Sequence, residues 1–229
     1  MTPCLIAHRG CAEQFPENTV EAMRRVASHV DAVEFDVRRC ASGEVVVIHD
    51  ETVDRVTDRT GRVADLTFSD LAACDVLDTG AGVPRLEDVL DAVPDAVAVN
   101  VELKQRGVAA DVVDALDGRA NRALVSSFLP NALAELRDVD SAVDRALLFG
   151  GGIGLRPEDG DPLDVAADLG CAAVHPSADA CLDGDLVSRA HDRGFTVNAW
   201  TVRTPSVANR LVAAGVDGLV ADRYDVLDR

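Results

Sequence analysis

Lysine is nearly absent from this chain. A single one, Lys104, stands beside 21 arginines, and the two types together are outnumbered by 40 aspartates and glutamates, leaving a net charge of −18 over 229 residues. So large a shortage of positive charge argues against nucleic acid as a partner, because gripping a phosphate backbone takes a basic footprint. A small anionic ligand would need a local positive pocket. Hydrophobic residues make up 48% of the chain, yet their runs are short and broken by Asp or Arg, so no segment is fit to cross a bilayer. No Pro/Ser/Gly-rich or low-complexity stretch divides the sequence, and its length suits one domain, 1–229. The six cysteines include no Cys-x-x-Cys pair, which points to reduced, buried thiols rather than zinc or a disulfide framework. No basic start followed by an apolar stretch precedes His8, so a cytoplasmic location is expected. The acid excess resembles the surfaces of proteins from salt-accumulating halophiles, where screening tolerates dense carboxylates; an acidic protein from a GC-rich genome is the plainer reading.

What is present is a regular alternation. Short Val/Ala/Leu/Ile runs at 4–8, 32–38, 97–104, 122–127, 143–149, 172–175, 195–201 and 217–221 alternate with amphipathic segments, as β/α units do. Gly170, Gly194 and Gly215 each fall between a helix end and the next strand, where a left-handed cap is wanted. Eight such units predict an α/β fold, a (β/α)8 TIM barrel; an open doubly wound sheet would share the alternation, but no Gly-x-Gly-x-x-Gly follows the first strand. One segment breaks the pattern. Ser42-Gly43 reads as a two-residue hairpin turn sending "EVVVIHD" back along the second strand, with Ala41 facing Glu44 and Asp36 facing His49. Residues from about 50 to 83 would then be a small insertion after the second strand, capping the barrel mouth.

Polar residues gather at the predicted strand ends, the catalytic face of such a barrel: His8, Glu34, Asp36, Glu102, Lys104, Ser127, His175, Trp200 and Asp222. Three carboxylates converging there, Glu34, Asp36 and Glu102, need a cation, and hard oxygen ligands suit Mg2+ or Ca2+. Glu-x-Asp on a strand can also simply face solvent, and Glu102 can pair with Lys104. His8 and His49 both titrate near neutrality and as a pair can take one proton and give another. Arg9 offers a fork for phosphate oxygens, and Lys104 a compact point charge retained in a chain that otherwise uses arginine. In "FPENTVEAM" Asn18 reads as the helix N-cap with Glu21 three residues on, while its place on the loop after the first strand can equally turn it to the site.

These residues carry a likeness. "HRG" with "PENT", then "EFDV", "VVVIHD", "RVTDRTG", "VPRLEDVL", "VELK", "VNAWTV" and "GVDGLVADR", in that order over nearly the whole chain, resemble the glycerophosphodiester phosphodiesterases. The resemblance implies a TIM barrel with an insertion after the second strand and divalent-metal-dependent hydrolysis of a small-molecule glycerophosphodiester to an alcohol and glycerol phosphate. On matching positions it implies His8 and His49 as acid and base, Glu34, Asp36 and Glu102 as metal ligands, and Arg9 and Lys104 as phosphate contacts. Trp200 resembles the aromatic on the glycerol side, with His175 and Asn18 as further substrate-side candidates. The chain departs from the family at "ADRYD" and at the Gly-rich "LLFGGGIGLRPEDGDP", which bear on substrate choice. A phospholipase D-like activity on lysophospholipids would call for an apolar rim, against an aromatic content of 3%. A catalytically silent phosphate-binding barrel would be marked by a lost histidine or carboxylate, and none is missing.

Overall fold

All eight apolar runs form strands in the computed structural model, which describes residues 2–155 and 159–227. They are β1 (Cys4–His8), β2 (Ala32–Arg39), β4 (Ala98–Leu103), β5 (Ala123–Ser127), β6 (Asp144–Phe149), β7 (Ala173–Pro176), β8 (Thr196–Val202) and β9 (Gly218–Ala221). Each pairs in parallel with the next, and β1 pairs with both β2 and β9, which closes an eight-stranded barrel. A further strand, β3 (Val45–Val47), is bonded antiparallel to β2 outside the ring.

Alternation along each strand divides the residues between two environments. On β4, Val99, Val101 and Leu103 join the apolar layer between sheet and helices, whereas Asn100 and Glu102 are buried polar residues of the opposite face. β2 repeats this with Val33, Phe35 and Val37 on one face and Glu34 and Asp36 on the other. The outer layer is completed by α1 (Val20–Val26), α3 (Leu86–Leu90), α4 (Ala109–Leu116), α5 (Pro130–Val139), α6 (Pro162–Asp168), α7 (Ala178–Leu182), α8 (Leu186–Asp192) and α9 (Pro205–Ala214). Gly215 ends α9 at φ +89, its N–H bonded to the carbonyls of Leu211 and Val212, the left-handed cap the spacing predicts.

Between β3 and α3 the chain builds a separate small cluster, with a 3-10 turn at Val63–Asp65 and the short helix α2 (Phe68–Ala72). Val46, Ile48, Val53, Val56, Val63, Leu71, Val76 and Val83 pack together there, apart from the barrel core. The hairpin register differs from the sequence expectation. Val37 faces Val47 and Arg39 faces Val45, and the Cys40 N–H bonds to the Glu44 carbonyl, so the turn has three residues, 41–43, and pairing is offset by one. Gly43 takes φ +105 in it. A slip of one residue should turn His49 to the wrong face. It does not, because the ladder stops at Val47 and the chain bends at residues 49–51, freeing His49 from the strand's alternation.

Candidate active site

The site begins where β1 ends. Arg9 (φ +51), Gly10 (φ +79) and Cys11 (φ +67) take three consecutive left-handed conformations, which turn the chain sharply over the barrel mouth. Gly10 is needed for a second reason: a Cβ there would lie 2.8 Å from Ala22 Cβ on α1. The turn aims the Arg9 N–H at Glu34 Oε2, 2.9 Å away, and brings the guanidinium Nε to 3.2 Å from Asp36 Oδ2. Asn18 also has a positive φ, +57. It is not the cap of α1. Thr19 is, accepting from the Ala22 N–H, while Asn18 Nδ2 donates to Asp36 Oδ2 at 2.9 Å.

Glu34, Asp36 and Glu102 are all buried, and one oxygen from each lies within 4.8 Å of the others. Parallel pairing explains it, since Asp36 is the register partner of Glu102 and Glu34 precedes it by two on the same face. Lys104 sits over the group, its Nζ 3.1 Å from Asp36 Oδ1 and 2.5 Å from Glu102 Oε1. Burial would raise Asp36, but the Lys104 and Arg9 charges outweigh it and hold this carboxyl well below its usual range. Burial, with the Asp36 charge adding to it, pushes Glu102 up to about 7 and Glu34 well above the carboxylate range. Two resident cations, Arg9 and Lys104, thus face three carboxylates, and Glu34 Oε1 is buried with no hydrogen-bond partner. A hard divalent cation fits that donor set.

Two histidines flank the carboxylates. His8 Nδ1 is 2.6 Å from Asp222 Oδ1, and Asp222 in turn accepts from Arg203 Nε at 2.7 Å. His49 Nδ1 is 2.6 Å from Asp50 Oδ1. Each ring uses Nδ1 on a carboxylate, which leaves Nε2 for exchange. Burial, then the charges of Lys104 and Arg9, lower the His49 pKa against the pull of Asp36. Both rings line a cavity of about 220 Å3 together with Arg9, Glu34, Glu102 and Lys104. Part of its lining is apolar, with Phe128, Leu148, Ile153 and Trp200, the two aromatic rings meeting edge to face at 5.1 Å. The Gly-rich loop packs on that side, a Cβ at Gly151 falling 3.1 Å from the Trp200 ring and one at Gly154 3.0 Å from Phe128; residues 156–158 lie outside the described residues. Another cavity of about 210 Å3 opens among Cys4, Ala32, Ala98 and Ala123 at the strands' N-terminal ends. Among the described residues the three-carboxylate group meets the first, which Glu34 and Glu102 line, so chemistry rather than volume selects it.

Most of the residues singled out in the sequence gather here, at different depths, but Ser127 does not: its hydroxyl donates to the Leu103 carbonyl at 2.7 Å, and its neighbour Ser126, the register partner of Glu102, lines the cavity instead. His175 is fully buried, its Nε2 2.9 Å from Asn198 Nδ2, and Trp200 Nε1 donates to its backbone carbonyl at 2.8 Å. The carboxylates behind the histidines, Asp50 and Asp222, have no assignment in the sequence reading. Each had a signal: Asp50 follows His49 directly, and Asp222 directly follows the last strand on the catalytic face. Asn100 had one too, since it shares Glu102's face of β4, whereas Phe128 and Arg203 lie beyond the regular strand alternation.

The sequence profile of the Glycerophosphoryl diester phosphodiesterase family matches residues 8–226. A glycerophosphodiester phosphodiesterase of Caldanaerobacter subterraneus subsp. tengcongensis is 29% identical, the alignment covering 99% of this chain and 97% of that protein. A probable glycerophosphodiester phosphodiesterase 2 of Mycobacterium tuberculosis is 30% identical over 97% of this chain and 88% of its own. Among solved structures, an Oleispira antarctica phosphodiesterase in complex with the product sn-glycerol-3-phosphate superposes with a TM-score of 0.85 at 25% identity, covering 98% of this chain and 94% of that one.

Proposed function

The chain belongs to the glycerophosphoryl diester phosphodiesterase family, and from that premise we propose that it hydrolyses glycerophosphodiesters to an alcohol and glycerol phosphate, with His8 and His49 as the acid/base pair. The observation that carries this reading is the meeting, in one cavity, of two carboxylate-held histidines with Glu34 and Glu102, two members of a cluster of three buried carboxylates. Glu34, Asp36 and Glu102 would hold a divalent cation, Mg2+ or Ca2+. When bound, such an ion stabilises negative charge on the phosphate and lowers the pKa of a coordinated hydroxyl.

The chain's own groups do the rest. Arg9 and Lys104 present positive charge to phosphate oxygens at a mouth whose surroundings are acidic. Asp222 and Asp50 hold the two imidazoles with Nε2 available, so that one ring takes the nucleophile's proton and the other gives one to the departing alcohol. Asn18 fixes the Asp36 carboxylate, and Trp200 with Phe128 offers an apolar wall to the carbon skeleton of glycerol. The coordinating carboxylates come from the barrel strands β2 and β4 and His8 from β1, while His49 is held on the bend after β3 by Asp50.

The test is direct. Protein stripped with EDTA and verified by metal analysis should not turn over glycerophosphocholine or glycerophosphoethanolamine, and Mg2+, Ca2+ or Mn2+ should restore release of glycerol phosphate. Full turnover of the stripped protein would sink the metal assignment; inactivity towards every glycerophosphodiester with every ion would sink the substrate class.

A further inference from the structure

The insertion supplies a residue that touches both halves of the site from outside. Arg55 lies on a turn whose neighbours Val53 and Val56 are buried in the insertion's own cluster. The backbone is tied on both sides, Thr57 N–H to the Val53 carbonyl at 3.0 Å and Leu77 N–H to the Val56 carbonyl at 2.9 Å. From this fixed base the guanidinium reaches two carboxylates. Nε donates to Asp50 Oδ2 at 2.6 Å, while Nη1 and Nη2 donate to Glu17 Oε2 and Oε1 at 2.7 and 2.8 Å.

Each of those carboxylates has a second client. Asp50 Oδ1 holds His49 Nδ1 at 2.6 Å, and Glu17 Oε1 accepts from Arg9 Nη1 at 3.1 Å. We propose that Arg55 is a positioning residue that sets His49 through Asp50 and Arg9 through Glu17, so that the insertion completes the active site. This rests on the assignment of His49 and Arg9 to the reaction made above.

The geometry favours this over a mere staple between insertion and barrel. Arg55 is about half exposed, where an ion pair contributes little stability, yet it makes a two-point bond to one carboxylate and a third bond to another. A planar fork with donors in fixed directions sets orientation, which a lysine's point charge cannot reproduce. Asp50 without Arg55 keeps its charge but loses the bond that fixes its plane, and the imidazole it orients is then free to tilt or to change tautomer. Arg9 would keep its contact with Asp36 Oδ2, 3.2 Å from Nε, but lose the fixed partner that directs Nη1.

The two arms separate kinetically. Asp50→Asn should lower kcat roughly ten- to a hundredfold, the usual scale for losing a group that orients a functional side chain, with KM nearly unchanged. Glu17→Gln should raise KM with kcat nearly kept, as loss of phosphate positioning does. Arg55→Gln should show both effects, and Arg55→Lys should fail to rescue both together. In a His49→Ala background Arg55→Gln should cost no further kcat. Long-range 1H–15N spectra of the histidine rings should show His49 protonated at Nδ1 in the parent and a tautomer mixture in Arg55→Gln. The proposal is overturned if Arg55→Gln folds with both kinetic constants unchanged, if its kcat loss persists in full without His49, or if the His49 tautomer does not move. A His49→Ala variant with near-parental turnover would instead refute the assignment of His49 itself.

Discussion

His8 depends on Asp222 at 2.6 Å, and Asp222 on Arg203. His8→Ala and His49→Ala are each expected to lower kcat by about 10² or more, the scale of general acid/base groups, with circular dichroism and melting temperature little changed. Asn18→Ala is expected to reduce activity with little cost to α1, because Thr19 is the cap; Thr19→Ala is the variant that should lose about 1 kcal/mol of stability. His175 makes a pH prediction. Burial holds its pKa down to about 3 from an ordinary 6.5, so the unfolded chain takes up a proton that the folded protein excludes. Its contribution to stability is whole above the unfolded value and is lost as pH falls towards the folded one. The melting temperature should therefore fall between about pH 6.5 and 4, and His175→Gln should flatten that slope; equal slopes in both proteins would show that His175 takes up its proton without unfolding. The three carboxylates and the histidines were legible because each is the polar residue of an apolar run or directly follows one. The left-handed turn at Arg9 was not, since it arises from packing of Gly10 against Ala22 rather than from local preference.

At the scale of elements, the β1–α1 loop couples fold and site. Gly10→Ala adds a methyl 2.8 Å from Ala22 Cβ at φ +79, and the expected cost is about 1–3 kcal/mol with loss of activity, since the same turn aims Arg9 at Glu34. Thermal melts and turnover on one preparation check it; an unchanged melting temperature would show the helix moving aside. All eight barrel strands were readable from apolar runs and the spacing of glycines, because β/α alternation is a local signal repeated eight times. The hairpin was readable only in outline. Ser42-Gly43 announces a turn, yet its length is fixed by the bond from Cys40 to Glu44 and by Phe68 N–H donating to Ser42 Oγ at 2.8 Å, a contact from the insertion that no local pattern carries.

For the molecule as a whole, many arginines are already engaged on the surface, as in Arg39 with Asp111, Arg119 with Asp91 and Arg193 with Asp164, and the net charge of −18 is what they leave unanswered. Mutual repulsion should weaken the fold at low ionic strength, and salt should relieve it as the Debye length shrinks from about 10 Å at 0.1 M to about 3 Å at 1 M. Melting temperature is expected to rise in KCl from 0.1 to 3 M and to rise less in an equally concentrated neutral osmolyte; an equal response to both would end the expectation of salt adaptation. Closure of the barrel has an outcome in time as well as in space. In chain order His8, Glu34, Asp36, His49, Glu102 and Lys104 all precede β5. Asp222 emerges 214 positions after the histidine it holds, and β1 lacks one neighbour until β9 has followed. A nascent chain that has not reached β9 therefore holds most of the proposed site without the carboxylate behind His8, and closing the ring brings the two together.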